Sequence, residues 1–204
     1  GDMPPREQAI TLRTGDLLVL HRDGRPGRPA NIAPDGSVTA PACISCTLPR
    51  VLDDVRVGES IWLDDGKITG VIEAIEDGRV SVRIQRTTSA GGDKLRADKG
   101  INLPDSNLKL DALTDKDLDD LRFIVEHADI VNVSFVRRAE DVRKLQQRLA
   151  ELGGEELGVM LKIETRQAFA HLPELLLTAM ATERIGVMIA RGDLAVECGY
   201  ERMA

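Results

Sequence analysis

The sequence contains few of the features that mark secreted or membrane proteins. Its 204 residues include only three cysteines, Cys43, Cys46 and Cys198, an odd number that provides no disulfide framework. No apolar run approaches the roughly 20 residues needed to span a bilayer. The first residues, from Gly1 to Arg6, lack the apolar segment of a signal peptide. We therefore expect a cytoplasmic protein with no membrane partner.

An excess of positive charge is also missing. The chain has 34 acidic and 27 basic side chains, which gives a net charge of -7. Such a balance provides no electrostatic footprint for nucleic acid, so a small-molecule ligand is favoured.

Cys43 and Cys46 have the C-x-x-C spacing of some metal and redox sites. No second pair and no nearby histidine accompany them, so we interpret both as buried structural residues.

Short apolar runs separated by turn residues predict a small antiparallel, barrel-like β domain at residues 1–97. The segment Arg79–Ile84 alternates with period two, and Asp77-Gly78 just before it is a hairpin turn signal. The stretch from Gly24 to Pro41 is rich in glycine, proline and arginine, and we expect a long irregular loop there. The other expected strands are Ala9–Leu12, Asp16–Leu20, Ser60–Leu63 and Lys67–Ala74.

The hydrophobic period changes after Pro104, and residues 98–204 are predicted to form about three β/α units. Thr114 is expected to cap a first helix, and near-continuous apolar strands are expected at Asp129–Phe135, Gly158–Ile163 and Ile185–Ala190. Such strands favour parallel pairing with both faces covered. Three units cannot close an eight-stranded barrel, so we expect an incomplete (β/α)8 TIM barrel. Its open edges favour self-association or a homo-oligomer.

Two strand ends carry most of the chemical information. Lys162-Ile163-Glu164 closes one apolar run, and Ala190-Arg191-Gly192-Asp193 closes the next. Parallel strands of β/α units present their carboxyl ends to a common rim, so a lysine and two carboxylates are expected to converge there on a metal ion and an anion. Taken one at a time, each of these charged groups could instead belong to a structural ion pair.

Several stretches together resemble the pyruvate kinase family. Val57–Gly66 resembles the hairpin of its lid domain, and Lys99–Pro104 resembles the return from lid to barrel. Ser134–Ala139, Leu161–Glu164 and Met188–Leu194 are similar to the ends of its fourth, fifth and sixth barrel strands. The resemblance implies an α/β fold in which an all-β lid is inserted into a TIM barrel, with phosphoenolpyruvate and ADP bound between them.

The implied reaction is transfer of a phosphoryl group from phosphoenolpyruvate to ADP, which gives pyruvate and ATP in glycolysis. The segment covers the lid and the middle strands of the barrel, so as a truncated chain it is expected to be inactive. Ala195 stands where the common family pattern has glycine. We therefore expect the parent protein to belong to an atypical branch of the family.

The resemblance also implies roles for particular residues. Glu164 and Asp193 would hold Mg²⁺ or Mn²⁺, and Lys162 would be catalytic, stabilising charge on the phosphoryl group and the enolate. Backbone N–H groups of Gly192 and Asp193 would bind the substrate carboxylate, and Lys99 would bind the nucleotide phosphates. The complete protein is expected to need K⁺, whose site residues would lie outside this segment.

General chemistry is consistent with these roles. Phosphoryl transfer needs positioning and positive charge more than a protein nucleophile, and helix N-termini bind anions. Ser134 at the rim could either contact the substrate or form a hydrogen bond with a neighbouring loop. We interpret Asp64-Asp65-Gly66 mainly as a hairpin turn, with a contribution to lid closure as the alternative. Two other functions stay open: a magnesium-dependent aldolase or lyase acting on pyruvate-like enolates, and a non-catalytic binding module.

Overall fold

The computed structural model describes residues 9–199 and residue 201, and the chain divides into two compact units. The first unit ends at Leu110 and the second begins at Asp111, whereas the sequence placed the division after residue 97. The later boundary reflects a short strand at Ile101–Asn102, which pairs with Ser60–Leu63 of the first unit. No helix among the described residues is long and apolar enough to cross a membrane.

The first unit is built mainly from β-strands. Its strands are β1 Ala9–Leu12, β2 Leu17–His21, β3 Asn31–Ile32, β4 Val38–Ala40, β5 Ala42–Ser45, β6 Ser60–Leu63, β7 Ile68–Glu76, β8 Arg79–Thr87, β9 Asp93–Arg96 and β10 Ile101–Asn102. A short 3-10 helix spans Pro49–Asp53. The main sheet has six strands in the order β10-β6-β7-β8-β2-β5, and two further pairs, β1-β9 and β3-β4, lie outside that sheet.

Alternation of apolar residues explains the core of this unit. Val80 and Val82 of β8 are fully buried and lie opposite Leu20 and Leu18 of β2. Successive side chains of a strand point to opposite faces, so the polar residues between them reach the other face. The five strands that the sequence predicted are present: β1 and β6 have the predicted ends, and the ends of β2, β7 and β8 are shifted by one or two residues.

The prediction of an entirely antiparallel domain is wrong at one pair. Strand β5 runs parallel to β2, with Leu18 opposite Ala42, so the six-stranded sheet is mixed. A parallel pair needs a long crossover connection, and residues 22–41 provide it. This connection is not wholly irregular either, because β3 and β4 form a small hairpin within it. The sequence did not predict β3 and β4, because they have only two and three residues and lie among glycines and prolines that are typical of loops.

The second unit contains the predicted parallel strands. They are β11 Ile130–Val133, β12 Gly158–Ile163 and β13 Ile185–Ile189, and they form one parallel sheet in the order β11-β12-β13. Val131 pairs with Val159, which in turn pairs with Ile185 on the other side. The helices are α1 Asp115–His127, α2 Ala139–Glu151, α3 Arg166–Ala170, α4 Leu172–Ala179 and α5 Arg191–Cys198.

Helix caps and apolar faces follow the sequence pattern here. The Thr114 hydroxyl accepts the backbone N–H of Asp117, and the Asp117 carboxylate accepts the backbone N–H of Thr114 in return. One difference concerns the third helical stretch, which is broken at His171 into α3 and α4, with Pro173 in the first turn of α4. The core of the unit is formed by buried residues of the sheet and helices, including Val131, Val133, Val142, Leu145, Leu149, Val159, Leu161, Ala168, Leu175 and Ala179.

Candidate functional site

Glu164 is a buried carboxylate at the carboxyl end of β12, with only 3% of its surface exposed. Its Oε1 lies 2.6 Å from Nζ of Lys162, and its Oε2 accepts the backbone N–H of Phe135 at 2.7 Å. Lys162 Nζ also donates to Oγ of Ser134 at 3.0 Å. These four residues, Ser134, Phe135, Lys162 and Glu164, form one polar network, which we call the rim cluster.

Strand geometry explains why the rim cluster forms. Ile163 separates Lys162 from Glu164 and points into the core, so the pleat directs the two charged side chains to the opposite side. Val133, the last residue of β11, pairs with Leu161 of β12. This register places Ser134 beside Lys162. The sequence predicted the lysine and the glutamate together because they are two residues apart on one strand.

Phe135 is the member of the cluster that sequence reasoning missed. Its backbone φ is +54°, in the left-handed region that residues other than glycine rarely adopt. Phenylalanine carries no sequence signal for that conformation, unlike glycine or asparagine. The only available signal was its position directly after a strand end at the predicted rim. Its contribution to the network is its backbone N–H, not its ring.

The start of α5 lies beside the end of β12. Ile163 pairs with Ile189, and the N–H of Ala190 donates to the carbonyl of Ile163 at 3.2 Å. Asp193 follows in the first turn of α5 and is exposed. Among the described residues, no atom beyond the chain neighbours and the helix's own backbone lies within 4 Å of the position that a Cβ of Gly192 would take, and no side chain caps this helix. The first-turn N–H groups can therefore donate hydrogen bonds to an anionic ligand.

The donor atoms at this rim suit a hard divalent cation. Each oxygen of Glu164 has one protein partner and so keeps further acceptor capacity. Among the residues that the structure describes, the Asp193 side chain has no hydrogen-bond or ion-pair partner. No group of three His, Cys, Asp or Glu side chains converges within residues 9–199. A metal here would thus have one or two carboxylate ligands with the remaining oxygens from water or substrate, which is how Mg²⁺ is commonly bound.

Lys99 belongs to the first unit, where it is held by a buried carboxylate. Its Nζ lies 3.1 Å from Oδ1 of Asp64, and Nζ of Lys67 lies 3.1 Å from Oδ2 of the same residue. Asp64, Asp65 and Gly66 all have positive φ, so the predicted turn is a run of left-handed residues. Only 6% of Asp64 is exposed. The sequence identified this turn but not its ion pair with Lys99.

Two opposing effects act on the Asp64 carboxyl. Burial disfavours the charged form and by itself raises the pKa. The hydrogen bond from Lys67, the ion pair with Lys99 and the two positive charges together outweigh burial and hold the pKa of Asp64 below its ordinary value of 3.8. Asp64 is therefore ionised at neutral pH and keeps both ammonium groups close to one another.

The parallel β/α units of the second unit, with charged groups at the carboxyl ends of their strands, define an α/β protein. A family model described as "Pyruvate kinase, barrel domain" matches residues 27–204. The chain is 34% identical to a pyruvate kinase of Geobacillus stearothermophilus over 196 residues. The matched region covers 96% of this chain and 30% of that protein. The chain is 31% identical over 194 residues to a pyruvate kinase of Clostridium acetobutylicum, covering 94% of this chain and 39% of that protein.

The chain belongs to the pyruvate kinase family, which confirms the resemblance. It spans about a third of the length of these relatives.

Proposed function

We propose that this chain supplies the metal site and the phosphoenolpyruvate site of a phosphotransferase that moves a phosphoryl group from phosphoenolpyruvate to ADP. The products would be pyruvate and ATP, and the setting would be glycolysis in the cytoplasm. The rim cluster carries this proposal, because it holds a buried carboxylate and an ammonium group in contact at a strand end. The relatives' name, pyruvate kinase, supports the choice of reaction.

In this proposal each rim residue has a distinct role. Glu164 and Asp193 would hold Mg²⁺ or Mn²⁺, which would supply positive charge to oxygens that become negative during the reaction. The Lys162 ammonium, oriented by Ser134 at 3.0 Å and Glu164 at 2.6 Å, would place a second positive charge beside the transferring phosphoryl group. Such preorganised charge is the main requirement of phosphoryl transfer.

The remaining contacts would fix the substrates. The N–H groups of Gly192 and Asp193 would bind the carboxylate of phosphoenolpyruvate, and the open space at Gly192 supports close approach. Lys99 would contact the nucleotide phosphates, held in place by Asp64. The β-rich region at residues 1–97 would act as the lid and residues 98–204 as part of the barrel. We also propose that the complete protein requires K⁺ and forms a homo-oligomer.

The metal site can be tested on this chain by calorimetry. Mn²⁺ is titrated with and without phosphoenolpyruvate into the wild type, Glu164→Gln and Asp193→Asn. Glu140→Gln serves as the matched control, because Glu140 is an exposed carboxylate that pairs with Arg143 on α2. We expect saturable binding that weakens roughly tenfold or more in the two rim variants and is unchanged in the control. Equal affinity in Glu164→Gln and the wild type would contradict the assignment.

The reaction itself is tested in a polypeptide that spans the length of the relatives. Pyruvate formation from phosphoenolpyruvate and ADP is measured for the parent sequence and for Lys162→Met. We expect the substitution to abolish turnover while Mn²⁺ binding persists, because the ammonium contributes charge to the phosphoryl group and is not a metal ligand. Turnover at the wild-type rate in Lys162→Met would exclude the proposed role.

A further inference from the structure

The corner between β11 and α2 has an unusual backbone at one residue. Phe135 has φ of +54°, although 56% of it is exposed and no requirement of core packing places its ring there. The residues on either side of the corner, Val133 and Val136, are both buried. The chain is thus anchored on each side of Phe135, and the left-handed residue makes the turn between the two anchors.

A left-handed backbone is unfavourable for a residue with a side chain, and such conformations persist where the surrounding structure stabilises them. The visible stabilising contact of Phe135 is its N–H bond to Oε2 of Glu164 at 2.7 Å. This bond links the end of β11 to the end of the neighbouring strand. Its acceptor is a carboxylate oxygen of the pair with Lys162, and hydrogen bonds to carboxylates are stronger than ordinary backbone hydrogen bonds.

The two oxygens of Glu164 are held by different kinds of partner. Oε1 is held by Lys162, whose ammonium lies at the end of a flexible side chain, and Oε2 is held by a backbone group that cannot rotate independently. If a cation displaces the Lys162 ammonium from Oε1, the bond to Phe135 still fixes the plane of the carboxylate. Outer contacts of this kind set the orientation and affinity of metal ligands.

We infer that the left-handed backbone of Phe135 is a positioning element for Glu164, holding its carboxylate in the orientation that receives a divalent cation. Phe135 acts through Glu164 and is neither a metal ligand nor a catalytic residue. The inference rests on the metal site of the proposed function. The positioning role belongs to the backbone conformation at residue 135 and not to the phenyl ring. A different residue at this position should therefore keep the role if it tolerates positive φ.

The test is a series of substitutions at residue 135 that all keep the backbone N–H. Glycine and asparagine tolerate positive φ, whereas the β-branched residues valine and isoleucine resist it. Mn²⁺ affinity is measured by calorimetry on the folded chain. We expect Phe135→Gly and Phe135→Asn to bind about as tightly as the wild type. We expect Phe135→Val and Phe135→Ile to bind roughly tenfold more weakly.

Phe123→Val is the matched control, because Phe123 is an exposed phenylalanine on α1 whose backbone is helical. Its Mn²⁺ affinity should equal that of the wild type. If the β-branched variants at residue 135 do not fold, Phe135→Ala replaces them, and it should bind Mn²⁺ as tightly as the wild type, because alanine and phenylalanine have the same Cβ clash at positive φ. Weaker binding by Phe135→Ala would overturn the inference, and so would wild-type affinity in the folded β-branched variants. Loss of binding in both Phe135→Gly and Phe135→Asn would also overturn it, since the ring would then be the active part.

Amide hydrogen exchange at residue 135 gives a readout that does not depend on metal. The N–H should be protected in the wild type and in Phe135→Asn, and it should exchange faster in Glu164→Ala. Unchanged protection in Glu164→Ala would overturn the inference even if Mn²⁺ binds. Failure of the wild type to bind Mn²⁺ would remove the proposed metal site and the positioning role with it. In that case protection at residue 135 would identify the contact as purely structural.

Discussion

The ammonium of Lys162 lies 2.6 Å from Oε1 of Glu164, a carboxylate that is almost completely buried. A buried carboxylate without a positive partner is strongly destabilising, so Lys162 acts as a built-in counter-ion for the rim. A divalent cation bound to Glu164 would compete with this ammonium for the same oxygen. The pair therefore connects the stability of the second unit with its proposed metal site.

Replacing Lys162 by methionine should destabilise the metal-free chain by about 2 kcal/mol, because Glu164 loses its counter-ion while Lys162 itself is partly exposed. Mn²⁺ should then bind more tightly than to the wild type and raise the melting temperature by more. Thermal unfolding with and without Mn²⁺ measures both effects. Lys144→Met is the control, since Lys144 pairs with the exposed Asp111. Weaker Mn²⁺ binding in Lys162→Met would contradict competition between the two cations.

Replacing Asp64 by asparagine should change the pH dependence of stability. The pKa of Asp64 is lower in the folded chain than its ordinary value of 3.8, so its ionised form stabilises the fold. This contribution is complete well above pH 3.8 and is lost as the pH falls through the lower, folded pKa. Asp64→Asn should therefore cost about 1–2 kcal/mol at pH 7 and progressively less as the pH falls below 3.8. Urea unfolding as a function of pH measures the difference, and a cost that does not change with pH would contradict it.

Replacing Thr114 by alanine should destabilise the second unit by about 1 kcal/mol, because the cap of α1 loses its side-chain bonds to Asp117. Thr114→Ser keeps the hydroxyl group and should retain most of the stability. Thermal unfolding of both variants measures the effect. Equal melting temperatures for the alanine and serine variants would show that the cap contributes little.

Gly70 of β7 is the site of a steric prediction in the first unit. A Cβ there would lie 2.6 Å from a methyl carbon of Val82 and 2.8 Å from the carbonyl oxygen of Arg83. Gly70→Ala should therefore destabilise the chain by about 1–3 kcal/mol, as overpacking does. Gly91→Ala is the matched control, because apart from its chain neighbours no described residue has an atom within 4 Å of the Cβ position at Gly91. Denaturant unfolding compares the two, and a neutral Gly70→Ala would contradict the packing.

Features with a local period were predictable from the sequence. The alternation in β8 and the apolar runs of β11, β12 and β13 identified these strands. Successive side chains of a strand point to opposite faces, so such a pattern is visible within a few adjacent residues. The cap at Thr114 was predictable for the same reason. Lys162 and Glu164 were placed together because they are two residues apart on one strand. The roles assigned to them, and those of Lys99, Gly192 and Asp193, stay predictions.

Contacts between residues far apart in the chain were decided by the tertiary structure alone. The parallel pairing of β2 with β5, the ion pair of Asp64 with Lys99 and the bond of Phe135 to Glu164 each depend on strand register. Register is set by packing and hydrogen bonding across the whole sheet, not by neighbouring residues. The sequence by itself therefore determined the longer strands, the first two helices and the residue types at the rim. Only the folded chain decided which backbone group holds the buried carboxylate.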